Sequence, residues 1–232
     1  MHTLDISRIK AVTIDLDDTL WPVWPTITRA EEVVAEWLRE RAPATAAAYP
    51  DSRSLRRIRE RIELERPELR ADLSAMRRES IRAALIESGD DPALAEPAFD
   101  IFFAERQNVV LFEDALETLE FLASRYPLVA ISNGNADLQR IGLGRFFKAA
   151  LSAQGFGVGK PDARIFHAGA QQAGHAAQAV LHVGDDQRLD VEGALNAGMQ
   201  TAWINMDARP WELEAKPHAE VTSLAQLCAI LR

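Results

Sequence analysis

Asp15 and Asp17 stand two residues apart directly after the apolar run Ala11-Val12-Thr13-Ile14. Side chains alternate along a strand, so both carboxylates leave the same face and share one small site. Held that close, two like charges repel, and each raises the pKa of the other unless a cation lies between them. The pair therefore implies a metal ion or one protonated acid. A strand needs neither acid for stability, so the placement points to a reaction. The competing reading is a plain turn, because Asp and Thr are common turn and helix-cap residues.

Acids follow an apolar run a second time. Gly184-Asp185-Asp186 comes after Ala179-Val180-Leu181-His182-Val183, and Asp190 lies five residues beyond Asp185. Oxygen ligands suit a hard divalent ion, and Mg²⁺ usually takes one or two protein carboxylates and completes its shell with water and substrate. Asp15, Asp185 and the backbone carbonyl of Asp17 form such a partial shell, while Asp186 fits the start of the following helix, where an acid favours the dipole. After Leu128-Val129-Ala130-Ile131, the residues Ser132 and Asn133 offer a hydroxyl and an amide that hold phosphate oxygens without adding charge. The same Ser-Asn-Gly stretch also suits an ordinary turn. Lys160 closes the glycine-rich stretch Gly155-Phe156-Gly157-Val158-Gly159, and Pro161 sets the chain for a helix. Aimed at a pocket crowded with carboxylates, that lysine offsets their repulsion and holds an anionic intermediate. Pro161 stands where a nucleotide-binding loop needs Ser or Thr, which excludes that loop.

Strands joined by crossover helices must position these residues. Lys10 to Ile14, Leu128 to Ile131, Ala149 to Leu151, Ala179 to Val183 and Thr201 to Ile204 read as short buried strands. Between them, Ala115 to Leu122, Asp162 to Gln172 and Leu189 to Ala197 read as helices. The predicted fold is an α/β, doubly wound, Rossmann-like parallel sheet, in which ligands bind beyond the carboxyl ends of the strands. The first strand is separated from the rest by a stretch with helical periodicity. Ile27 to Leu38, Leu55 to Ile62, Leu73 to Leu85 and Phe99 to Phe103 predict four helices packed as a bundle. The expected division is a core of residues 1–20 and 109–232 and a helical insertion of residues 21–108. In the insertion, Arg53, Arg56, Arg57, Arg59 and Arg61 alternate with Glu60, Glu63 and Glu65 and read as a solvated helix face, with attraction of an anion as the alternative. Trp21 and Trp24 read as packing residues, with stacking on a flat ring as the alternative.

Composition narrows the partners. The 232 residues carry 35 acidic and 26 basic side chains, a formal charge of −9, which disfavours sequence-independent nucleic-acid binding because that needs a basic face. No apolar run nears a bilayer span, and the first ten residues resemble neither a signal peptide nor an anchor. Cys228 is the single cysteine, so no intramolecular disulfide forms, as suits a reducing cytoplasm.

In this order, Asp15-x-Asp17-x-Thr19, Ser132, Lys160 and Gly184-Asp185-x4-Asp190 resemble the four motifs of the haloacid dehalogenase superfamily of hydrolases. The resemblance spans essentially the whole chain, and within the family it is closest to bacterial phosphatases acting on 5-amino-6-(5-phospho-D-ribitylamino)uracil. It implies that Asp15 is a nucleophile forming an aspartyl phosphate and that Asp17 is the acid and base serving the leaving alcohol and the attacking water. It further implies that Ser132 and Lys160 bind phosphoryl oxygens with help from Asn133, that Mg²⁺ is the cofactor, and that Asp190 orients the metal shell. The insertion resembles the helical cap found between the first two motifs. The partner implied is a small phosphorylated metabolite, with FMN and phosphoglycolate among the candidates. A sugar phosphomutase and a non-enzymatic binding domain of the same fold remain alternatives, and the oligomeric state is left open.

Overall fold

The computed structural model describes residues 3–232, apart from the side chains of Ser52 and Arg53. The chain divides into two compact units, Met1–Pro22 with Val110–Arg232, and Val23–Val109.

In the first unit, β1 (Ala11–Ile14), β2 (Leu128–Ser132), β3 (Ala149–Ser152), β4 (Val180–Gly184), β5 (Gln200–Ile204) and β6 (Ala219–Val221) form one sheet. Its order is β3-β2-β1-β4-β5-β6 and every pairing is parallel. Every residue of β1, β2, β4 and β5 is buried. That explains their near-continuous apolar character, because helices cover both faces of a parallel sheet. The helix Ala163–Ala173 covers one face, where Ile165, Phe166 and Ala170 pack on Ala11, Val129 and Ile131. The chain leaves β1 for β2 and β3 on one side and returns to β4 on the other, so the strand order reverses at β1. Crevices for ligands open at such a reversal. Asp15 follows β1 at that point, and its N–H donates to the Val183 carbonyl at 2.9 Å.

Two elements differ from the sequence reading. The edge strand β6 was not expected; its three residues include one buried side chain, Val221, too short a run to show alternation. The helix expected from Leu189 to Ala197 is a π-helical segment, Gln187–Glu192, followed by an α-helical turn, Gly193–Asn196. Asp186 caps its start, accepting from the N–H groups of Arg188 and Leu189 at 2.8 and 2.7 Å, as its place before a helix implied.

The second unit is helical: α1 (Val23–Arg41), α2 (Pro43–Ala48), α3 (Ser52–Glu65), α4 (Leu73–Ser88) and α5 (Ala95–Arg106). The four expected helices are present, with α2 as a short addition begun by Pro43 at a position where its missing N–H costs nothing. Asp72 caps α4 by accepting from Ala75 N–H at 2.8 Å, and Gly89, at φ 77°, ends it in the left-handed region that glycine adopts without strain. Ala30, Val34 and Leu38 of α1 form a stripe against Ile81 and Leu85 of α4 and Phe99 and Phe102 of α5. One expectation fails here. Arg61 does pair at the surface, with Glu65 and Glu87, but Arg56 and Arg59 are largely covered and turn toward Glu31 of α1. Arg53 lies outside the described side chains. No helix among the described residues is long and apolar enough to cross a membrane.

Candidate active site

The carboxyl ends of β1, β2 and β4 bring Asp15, Ser132 and Asp185 to one edge of the sheet, and the loop before Ala163–Ala173 brings Lys160 to them. Lys160 is 5% exposed, and its Nζ donates to Asp15 Oδ1 and, at 2.5 Å, to Asp190 Oδ1. Asp190 also accepts from His182 Nε2 at 3.0 Å and, through Oδ2, from the Asp186 N–H at 3.0 Å. Its close approach requires Gly184, where an added Cβ would stand 2.3 Å from Asp190 Cγ.

His182 extends this chain into the core. A carboxylate can only accept, so the Nε2 facing Asp190 carries the proton, and Nδ1 accepts from Thr13 Oγ1 at 2.8 Å. Its ring meets Phe166 edge-on at 4.9 Å between centroids. Burial holds His182 below the ordinary imidazole range against the pull of Asp190. Nothing in the apolar run around His182 marks it in sequence as part of the site.

The charges reflect one cation shared among several acids. Burial raises the Asp15 carboxyl well above the carboxylate range, Lys160 pulls it back, and Asp190 and Asp185 push it up again. Burial would also raise Asp190, but Lys160 and the His182 hydrogen bond outweigh it and hold that carboxyl low. For Lys160, the two acids overcome burial and raise the ammonium above its usual range. Burial, then Asp190 and Asp18, push Asp185 up to about 7, opposed by Arg209.

These residues fit a divalent cation. Asp15, Asp185 and Asp190 each offer a carboxylate oxygen, all within 4.8 Å of one another. Asp190 accepts from Lys160, His182 and the Asp186 N–H, more donors than either other acid receives, which makes Asp15 and Asp185 the freer ligands, an oxygen set suited to a hard ion. A cation there would offset the burial and the repulsion that raise both groups.

The remaining residues surround this centre. Asp17 Oδ1 accepts from Trp21 Nε1 at 2.8 Å, and Trp21 is fully buried, which rules out the stacking alternative for that indole. Within the helical unit, apart from this centre, Trp24 is 54% exposed, with the Arg56 guanidinium 4.8 Å over its ring. Thr19 Oγ1 reaches Asp15 Oδ2 at 3.4 Å. Ser132 Oγ accepts from Gly134 N–H at 2.9 Å, which leaves its own proton to donate. Asn133, expected to help hold phosphate, instead clamps the lysine loop: its Nδ2 donates to the Lys160 carbonyl at 2.8 Å and its Oδ1 accepts from the Lys160 N–H at 2.7 Å. Trp203 and Arg209 were missed by the sequence reading. Trp203 Nε1 and Arg209 Nη2 both donate to the Asp185 carbonyl, at 2.7 and 2.6 Å, and Arg209 Nη2 stands 3.3 Å from Asp185 Oδ2. A partner 24 residues away leaves no local signal.

The haloacid dehalogenase-like hydrolase model matches residues 9–198. Among curated proteins, the chain is 33% identical to the 5-amino-6-(5-phospho-D-ribitylamino)uracil phosphatase YigB of Escherichia coli, over 97% of this chain and 98% of that protein. It is 34% identical to a phosphoserine phosphatase of Thermus thermophilus over 63% of this chain and 61% of that protein. Among solved structures, a 2-haloacid dehalogenase from Pseudomonas syringae superposes with a TM-score of 0.89 at 39% identity, covering 96% of this chain and 98% of that one. With four motifs converging at the carboxyl edge of a parallel sheet, and a family match over most of its length, the chain belongs to the haloacid dehalogenase-like hydrolases.

Proposed function

We propose that this protein is a Mg²⁺-dependent phosphatase that hydrolyses a small phosphorylated metabolite through an aspartyl phosphate on Asp15. In this reading, the unit Met1–Pro22 with Val110–Arg232 is the catalytic core and Val23–Val109 is its cap. The observation that carries it is the division of labour between two aspartates: Asp15 is buried against Lys160, while Asp17 is turned to the indole N–H of Trp21. Two carboxylates in such different environments are suited to different tasks.

Asp15 Oδ attacks phosphorus and forms the P–O bond as the bond to the leaving oxygen breaks, and Asp17 gives that oxygen its proton. Water then attacks the aspartyl phosphate, Asp17 takes back a proton, the bond to Asp15 breaks, and phosphate leaves. Ser132 donates its hydroxyl proton to a phosphoryl oxygen, and Lys160 neutralises charge gathering there. Asn133 acts by fixing the backbone of Lys160, and Asp190, tethered by His182, fixes its ammonium. Asp15, Asp185 and the Asp17 carbonyl would hold Mg²⁺, whose positive charge would let two anions approach.

The name of the Escherichia coli relative favours the ribitylaminouracil phosphate, with FMN-like esters next and phosphoglycolate or a phosphomutase reaction as alternatives. A second reading, displacement of halide from a 2-haloacid, is favoured by the Pseudomonas syringae structure. Asp17 argues against it, because halide leaves without a proton. One comparison decides: purified protein is offered an aryl phosphate, a panel of phosphorylated metabolites and 2-chloropropionate, each with Mg²⁺ and with EDTA. Phosphate release that requires Mg²⁺ supports the proposal, and chloride release without phosphate release overturns it.

A further inference from the structure

A second buried charge cluster lies within the helical unit. Glu31 of α1, 7% exposed, faces three guanidinium groups: Arg77 Nη1 at 3.1 Å, Arg59 Nη1 at 3.9 Å and Arg56 Nη2 at 3.8 Å. Only the first is within hydrogen-bond distance. Glu31 Oε2 and Arg56 Nε are buried and have no hydrogen-bond partner among the described residues. Both residues line a pocket whose remaining wall includes Val34, Leu55, Ile81 and Phe102. Three fixed positive charges thus share one carboxylate beside apolar side chains, where charge is poorly screened. Burial, with the repulsion of Arg59, lowers Arg77 to about 10, which agrees with an excess of positive charge.

The two partnerless atoms say what is missing. Arg56 Nε is a donor and needs an acceptor, whereas Glu31 Oε2 is an acceptor and needs a donor. A bare anion such as sulfate meets the first need but sets two negative oxygens face to face at the second. A neutral hydroxyl meets both but leaves the positive excess. An oxyanion that still bears hydrogen meets all three conditions. The pocket, with a cavity volume of about 20 Å³, admits one oxygen-sized group. The body of the ion then sits at the mouth, where the side chains of Arg56 and Arg59 are 34% and 26% exposed.

We propose that the helical unit binds a hydrogen-bearing phosphate, either free hydrogen phosphate or a singly protonated phosphomonoester, with its acceptor oxygens toward Arg56 and Arg59 and its O–H toward Glu31 Oε2. This site uses none of the residues assigned to phosphoryl transfer and stands whether or not the chain is a phosphatase.

The test is equilibrium titration of the full chain carrying Asp15→Asn, which blocks turnover, with inorganic phosphate, inorganic sulfate and phenyl phosphate. The expected result is a saturable phosphate-binding component that Ser132→Ala leaves in place and Arg59→Gln removes. In that component phosphate binds about tenfold more tightly than sulfate, the effect of one hydrogen bond to a charged acceptor. Phenyl phosphate filling the same component identifies the monoester as a ligand; phenyl phosphate failing to fill it identifies the free ion. Glu31→Gln removes the preference for phosphate over sulfate. The proposal is overturned if no component depends on Arg59, or if sulfate fills that component as well as phosphate does. Neither overturning result needs the Glu31 variant, so poor folding of that variant leaves the test intact.

Discussion

The molecule contains two buried charge clusters of opposite composition. In the sheet unit, one lysine serves two carboxylates, with Lys160 hydrogen-bonded to Asp15 and Asp190 and His182 completing the set. In the helical unit, one carboxylate serves three arginines, two of them beyond hydrogen-bond distance. The first cluster is geometrically closed around its lysine yet acid-rich, and it calls for a further cation. The second is open and base-rich, and it calls for an anion. Burial penalises uncompensated charge of either sign, so an imbalance retained in a folded chain points to what the site is built to receive.

The largest effect expected is catalytic. Asp15→Asn should lower the rate of aryl phosphate hydrolysis by about 10⁴-fold or more, the scale seen when a nucleophile is removed, with the circular dichroism spectrum unchanged. Steady-state rates check this, and retained activity would break the assignment of Asp15. Next comes the cation. Mg²⁺ at saturating concentration should raise the melting temperature of the EDTA-treated protein, because it binds the folded state alone, and Asp185→Asn should abolish that rise. A rise that persists in Asp185→Asn would move the metal elsewhere.

The comparison itself is sharpened by stability. Lys160→Gln strands two buried carboxylates and should cost about 3–5 kcal/mol in denaturant unfolding. Glu31→Gln loses one close ion pair, in a cluster whose other arginines reach water, and should cost about 1–2 kcal/mol. Equal losses would show that the helical cluster is as closed as the one around Lys160. Smallest is Arg59→Gln, expected within about 0.5 kcal/mol of the parent, because its pairing is long and partly solvated. A larger loss would mean that Arg59 is a structural tie rather than a ligand-ready group.

Much of the sheet site is legible in the chain because its signals are local. Asp15 and Asp185 each close an apolar run, and Ser132 and Lys160 carry motif spacing that a reader can match. Asp17 was legible as a carboxylate, but not its hydrogen bond to Trp21, since a tryptophan four residues on reads equally as packing or stacking. Asn133 shows the same limit. Its type suggested a phosphate ligand, and only the structure shows its hydrogen bonds to the Lys160 backbone. Arg56 and Arg59 were read from alternating charge as a wet surface, because periodicity in α3 carries no information about Glu31 on α1.

By itself, the sequence determined the family, the strands other than β6, most of the helices, and the residue types of the proposed chemistry, since alternation, apolar runs and motif spacing are properties of neighbours along the chain. Only the tertiary structure decided which charges share a site. Lys160 meets Asp15 across 145 residues because crossovers return β2 and β4 to either side of β1, and the arginines of α3 meet Glu31 because four helices, α1, α3, α4 and α5, pack around one pocket.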